Sequence, residues 1–298
     1  MTFRSMIRSR AALVCAIILA QFVVFEAALR LKGGSEAAPA FQKLFVTDAR
    51  IGYRLAPGVS TQFKTSEFDT AISINSSGVR DREIGDRPPD ERRIVVLGDS
   101  LVMAVQVPLE QTFTARLEQA LGAKTTPPPR YRVINAGVQG YGPVEEYLFH
   151  RHVTSRLSPD IVVMALYVAN DAVEALVSAG RLEDAAAGGA RAAAPARPAS
   201  ALETLNQWRR RVIRRSMVLQ VARLRFTTLL DRFGGTQEID PPLRSYLHDA
   251  PPEITRGLAV VRDTVARMKT LTDAQGARLV VLLLPARFQV DDADFGRL

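Results

Sequence analysis

Residues Arg92–Ser100 read RRIVVLGDS, an apolar run from Ile94 to Leu97 that closes on a glycine and two polar residues. A run that is apolar at every position, with no polar alternation, fits a strand covered on both faces. Gly98 with Asp99 and Ser100 marks a tight turn, and a helical pattern follows from Thr112 to Leu121. The stretch therefore predicts a strand, a turn and a helix.

The same unit recurs on either side of a proline-rich loop. TTPPPRYRVINAG predicts a strand over Tyr131–Ile134 and a turn at Asn135-Ala136-Gly137, with a helix from about Pro143 to Leu157. After the Ser158-Pro159-Asp160 break a third strand, Ile161–Val168, ends on Asn170-Asp171. A helix from about Pro252 to Ala274, with its apolar stripe through Leu258, Val261, Val265 and Met268, leads into a fourth strand over Ala277–Pro285. Apolar strands alternating with helices predict an α/β fold with a parallel sheet covered on both faces. In such sheets ligands bind at the carboxyl ends of the strands. Asp99-Ser100, Asn135 to Gly137 and Asn170-Asp171 all fall at those ends, so the fold gathers them on one edge.

The 298 residues are 47% hydrophobic and 23% charged, ordinary for a folded protein and unlike a disordered, collagenous or coiled-coil chain. With one cysteine, Cys15, there is no internal disulfide and no cysteine-based zinc site, and three histidines restrict metal chemistry further. No cofactor or metal is expected. The net charge of +8 is spread along the chain without a nucleic-acid docking motif, so nucleic acid is not an expected partner.

Arg4, Arg8 and Arg10 precede an apolar run, Ala11 to Leu29, broken only by Gln21 and Glu26. As a helix it would reach roughly 28 Å, enough to cross a bilayer. The charge asymmetry places residues 1–31 as a cytoplasmic tip and membrane anchor, with the chain beyond about Lys32 outside the cytoplasm, periplasmic or extracellular. The competing reading is a cleaved signal peptide, but its Ala38-Pro39-Ala40 site lies well beyond the run and carries a proline.

Residues 41–90 form a β-rich lead-in, in which Thr70–Asp81 alternates before the Ser76-Ser77-Gly78 turn, and 91–298 form the α/β domain. That domain carries an insertion at about 181–250. Its low-complexity stretch Ala185–Ala201 reads as a flexible linker, and the helical pattern that follows includes Arg209, Arg210 and Arg211. Those arginines read as a solvated face or as a contact for anionic lipid beside the anchor.

A serine becomes a useful nucleophile where a strand-to-helix turn exposes its Oγ beside free backbone N–H groups, and Ser100 stands at such a turn. Helix capping by Asp99 and Ser100 explains the same residues structurally. Val102 excludes the G-x-S-x-G elbow.

IVVLGDSLV (94–102), NAGVQGYG (135–142) and LYVANDAVE (166–174) resemble, in order, three of the four sequence blocks of the SGNH (GDSL-type) hydrolases. The lead-in INSSGVRDREI (74–84) is similar to the stretch before the first block in membrane-tethered, extracytoplasmic members. The resemblance implies a flavodoxin-like three-layer α/β/α fold and a serine esterase or carbohydrate O-acyl esterase or transferase, acting on an ester or acylated glycan. It makes Ser100 the nucleophile, and its own N–H, the Gly137 N–H and the Asn170 side-chain amide the oxyanion hole. Val168 stands where the third block usually has glycine.

The fourth block, an Asp-x-x-His whose histidine is the general base, has no match. The expectation is a shortened chain or one that has lost the base, with His248 beside Asp249 as substitute candidate and His150 and His152 in structural roles. A non-catalytic, membrane-anchored module binding carbohydrate or a partner in the cell envelope is the alternative reading.

Overall fold

A computed structural model of the chain describes residues 20–28, 41–65, 67–124, 130–186 and 251–290. The chain divides into two units, 1–35 with 194–238, and 36–193 with 239–298. Among its described residues the first unit contributes a helix over 20–28, with Phe22, Val23, Val24 and Phe25 exposed. No helix among the described residues is long and apolar enough to cross a membrane. The rest of the apolar run 11–29, the arginines Arg209, Arg210 and Arg211, and His248 lie outside the described residues.

Among its described residues the second unit is built on four parallel strands, β5 (Glu91–Gly98), β6 (Arg130–Gly137), β7 (Ile161–Tyr167) and β8 (Arg278–Leu284), in the order β6-β5-β7-β8. Gly98 pairs with Gly137 across β5 and β6, and Leu97 with Met164 across β5 and β7. The order is that of a doubly wound sheet that starts in the middle, grows to one side and then to the other. Its direction reverses between β5 and β7, where crossovers leave on opposite faces and open a crevice at the carboxyl ends.

Val95, Val96 and Leu97 are fully buried, as the apolar run requires. Each such side chain contributes roughly 1.5–3 kcal/mol relative to exposure. One face packs α3 (Pro143–His152), α4 (Asp171–Ala186) and α5 (Pro252–Ala274), through Val144, Leu148, Ala175 and Met268 among others. On the other, Leu117 and Leu121 of α2 (Phe113–Lys124) cover Ile94, Val96 and Val133. The expected cover on both faces thins at the edge, since Val280, Val281, Leu282 and Leu283 of β8 are exposed.

The lead-in is two antiparallel hairpins, β1 (Phe45–Asp48) with β2 (Gly52–Leu55), and β3 (Ser60–Lys64) with β4 (Asp69–Ser73). Leu44, Ile51, Leu55, Ile72 and Val79 join the same apolar cluster as the sheet residues Val95 and Ile134. The lead-in is thus part of the core that carries the sheet edge. The helix expected to run to Leu157 stops at His152, and a tighter 3-10 turn, Thr154–Leu157, ends on Ser158 at φ 51 before β7 begins.

Candidate active site

β5 ends at Gly98, and the chain turns at Asp99 into a single helical turn, α1 (Ser100–Met103). The Asp99 carboxylate caps that turn by accepting the Leu101 N–H at 2.8 Å. Ser100 is the first helical residue and half-buried, and its hydroxyl has no hydrogen-bond partner among the described residues.

Two further side chains hold α1 in place. The fully buried Arg80 guanidinium donates to the carbonyls of Met103, Ala104 and Val107, the latter two at 2.6 Å. Burial lowers Arg80 to about 10, so it stays a cation at physiological pH. Asn135, also fully buried, donates its amide to the Val102 carbonyl at 2.8 Å, and its backbone N–H is taken by Asp81 Oδ2 at 2.8 Å. Asp81 in turn is paired with Arg132 at 2.7 Å. Sequence reading missed Arg80 and Asp81, which sit in the 74–84 stretch and reach partners far along the chain.

Gly137 departs from its expected role. Its N–H donates to Asn135 Oδ1 at 3.1 Å, and a Cβ there would lie 2.3 Å from the Met103 nitrogen. The glycine lets β6 approach the backbone of α1, and its N–H is already committed. Three residues on, Gly140 is exposed, lies at φ +74, and its N–H has no partner among the described residues. In this loop the N–H groups of Gln139 and Gly140 are the ones without a partner among the described residues, and Gly140 has no side chain to cover its own. Three glycines in one block, Gly137, Gly140 and Gly142, gave the sequence no means of choosing, because only the fold shows which N–H is taken.

Asn170 follows β7, its backbone carbonyl accepting from Val173 and Glu174 at the start of α4. Its side-chain amide donates to Glu174 Oε1 at 2.9 Å, which leaves the second N–H of the amide. Around it lies an unexpected group of carboxyls. Glu146 is fully buried, and neither of its oxygens has a partner among the described residues; the same holds for Asp171 Oδ1 and Glu174 Oε2. Burial, reinforced by the mutual repulsion of Asp171, Asp99, Glu145 and Glu174, holds Glu146 well above the usual carboxylate range. Burial and then Glu174 push Asp171 up to about 8; burial and then Asp99 push Glu174 up to about 7. Near neutral pH the group therefore holds protons, and the edge carries less negative charge than its composition suggests.

Gathered on the carboxyl edge are Ser100, Gly137, Gly140 and Asn170, at the ends of β5, β6 and β7. The described histidines are not there. His150 is fully buried, its ring nitrogens meeting Thr154 Oγ1 at 2.9 Å and Gln275 Oε1 at 3.0 Å. Gln275 precedes the start of β8, so His150 sits at the amino edge of the sheet, on the far side from Ser100. Burial lowers the pKa of both His150 and His152. No group of side chains among the described residues is arranged to hold a metal ion.

No family model and no curated protein sequence matches the chain. Among solved structures it is similar to a mutant of the esterase AlinE4, with TM-score 0.29 and 19% identity over 65% of this chain and 77% of that one. It is similar too to the acetyl xylan esterase AlAXEase, with TM-score 0.27 and 16% identity over 64% and 77%. TesA gives TM-score 0.26 and 20% identity over 60% of this chain and 99% of its own. At that level of superposition the likeness bears no weight for function, which is read from the site alone.

Proposed function

We propose that the chain is a serine ester hydrolase or acyltransferase of the SGNH type on a flavodoxin-like scaffold, with Ser100 as nucleophile. The observation that carries this is the placement of Ser100. It opens α1 at the point where the sheet order reverses, with its hydroxyl free among the described residues and the Gly140 N–H and Asn170 amide on the same edge. Ser100 Oγ attacks the ester carbonyl carbon and gives its proton to the base. The tetrahedral oxyanion is met by the N–H groups of Ser100 and Gly140 and by the Asn170 amide, which replaces the Gly137 assignment. Collapse expels the alcohol with a proton and leaves an acyl-Ser100 ester, which water or a sugar hydroxyl then cleaves. Preorganised donors of this kind lower the barrier by roughly 3–4 kcal/mol each. The substrate class is an ester or acylated glycan, no cofactor enters the reaction, and His248 is the base to test first. The apolar run 11–29 tethers the domain outside the cytoplasm, with Arg209, Arg210 and Arg211 against anionic lipid.

A fluorophosphonate probe tests the nucleophile. The full chain should carry one label on the Ser100 peptide, and Ser100→Ala none. Equal labelling of both, or none of either, overturns the proposal. His248→Ala should slow labelling by about 10² or more if that residue is the base.

The second reading, a binding module of the cell envelope without catalysis, draws on the absence of a histidine from this edge among the described residues. It predicts glycan binding that survives Ser100→Ala, with no labelling.

A further inference from the structure

The peptide joining Gln139 to Gly140 lies at the centre of a tight turn. Tyr141 N–H closes that turn on the Val138 carbonyl at 3.1 Å, and Gly140, its third residue, lies at φ +74. A positive φ at that position is the mark of a type II turn; a type I turn has the same ends with the central peptide rotated by about 180°. Glycine tolerates both conformations. Because the C=O and N–H of a trans peptide point in opposite directions, that rotation would exchange a donor for an acceptor on the side facing the site.

One side chain decides between them. Tyr53, on β2 of the lead-in, donates its hydroxyl to the Gln139 carbonyl at 2.8 Å, and that carbonyl has no other partner among the described residues. The fit is close, since a Cβ on residue 140 would lie 2.9 Å from the Tyr53 hydroxyl oxygen. Tyr53 is held in turn, its carbonyl accepting from the Tyr141 hydroxyl at 2.6 Å and its ring meeting the Tyr141 ring edge-on at 5.4 Å. Burial, and then the charges of Glu145 and Glu174, push the Tyr53 phenol up to about 12, so it remains a donor across the working range.

We propose that Tyr53 is a positioning residue of the esterase site: by anchoring the Gln139 carbonyl it keeps the Gly140 N–H aimed at the developing oxyanion. This rests on the reading of Ser100 as nucleophile. The lead-in then serves the chemistry directly, through a residue outside all three sequence blocks.

The test uses the full chain and its Tyr53→Phe variant, which keeps the ring and removes one hydroxyl. The rate of Ser100 labelling by a fluorophosphonate, and kcat for a short-chain nitrophenyl ester, should fall by about 10- to 100-fold, less than the loss on deleting a donor outright. KM and the thermal melt should stay near wild type, which a merely structural role would not give. Gly140→Ala supplies the second arm. If Tyr53 acts only through this amide, the double variant loses no more than Gly140→Ala alone. Losses that add in full, or wild-type rates in Tyr53→Phe while Ser100→Ala stays unlabelled, overturn the inference and leave the nucleophile standing. Failure of the wild-type chain to label at Ser100 removes the nucleophile and the role of Tyr53 with it.

Discussion

The Arg80 guanidinium reaches three carbonyls within five residues, those of Met103, Ala104 and Val107, where the end of α1 leaves backbone acceptors without helical partners. Replacing it with methionine keeps much of the volume and removes every donor. The Ala104 carbonyl keeps the Val107 N–H at 3.2 Å. Arg80→Met should therefore destabilise the protein by about 3 kcal/mol, since the Met103 and Val107 carbonyls lose their donor at about 1–3 kcal/mol each. A loss of unfolding free energy in urea of less than a third of that would mean that water replaces the arginine freely. The turn at Ser100 was legible in the sequence because a polar pair after an apolar run is local. Arg80 was not, because its partners lie 23 to 27 residues further on and nothing in VRDR announces them. Gly137 and Gly140 show the same limit, as which amide is free depends on Asn135 folding back onto its own strand.

At the scale of elements, periodicity found all four strands of the sheet, because apolar runs are local and parallel strands need them. It found α5 to the residue, since Pro252 opens that helix at a position where proline is favoured. Packing between helices was not legible. Gly257 reads as a mild interruption in a helical stripe, yet a Cβ there would lie 1.9 Å from the Ala172 carbonyl oxygen at the start of α4. The two helices touch backbone to backbone at that point, next to Asn170 and Asp171. Gly257→Ala would improve helix propensity by about 1 kcal/mol in isolation. Here it must push α5 away from α4, and overpacking of this kind costs about 1–3 kcal/mol. The expected outcome is a lower melting temperature together with slower labelling of Ser100, because the clash falls on the start of α4, two residues from Asn170. A higher melting temperature would show that α5 shifts without strain.

Across the whole molecule, the buried carboxyls give stability a particular dependence on pH. Asp171, pushed up to about 8, and Glu174, up to about 7, keep protons in the folded protein that they release near pH 4 when unfolded. The folded state then binds more protons than the unfolded one through this window. Stability contributed by these groups is full below about pH 4 and is lost as pH rises toward 8. Asp48, Asp160 and Glu118 act with the opposite sign: hydrogen bonds and cations hold them below their ordinary values, so their contribution is lost as pH falls through the acid range. His150 and His152, lowered by burial, also lose their contribution as pH falls below the ordinary histidine range. Stability should therefore peak in mildly acidic solution and fall by several degrees of melting temperature by about pH 8.5. Asp171→Asn removes one of the titrations on the alkaline side while keeping a polar group for the Tyr167 N–H, now bonded to Oδ2 at 2.7 Å. It should flatten the fall between pH 6 and 8.5 and leave the acid limb unchanged. If the variant melts with the wild-type pH profile, Asp171 is ionised in the folded protein, and the carboxyl group beside Asn170 must be balanced by something other than protons.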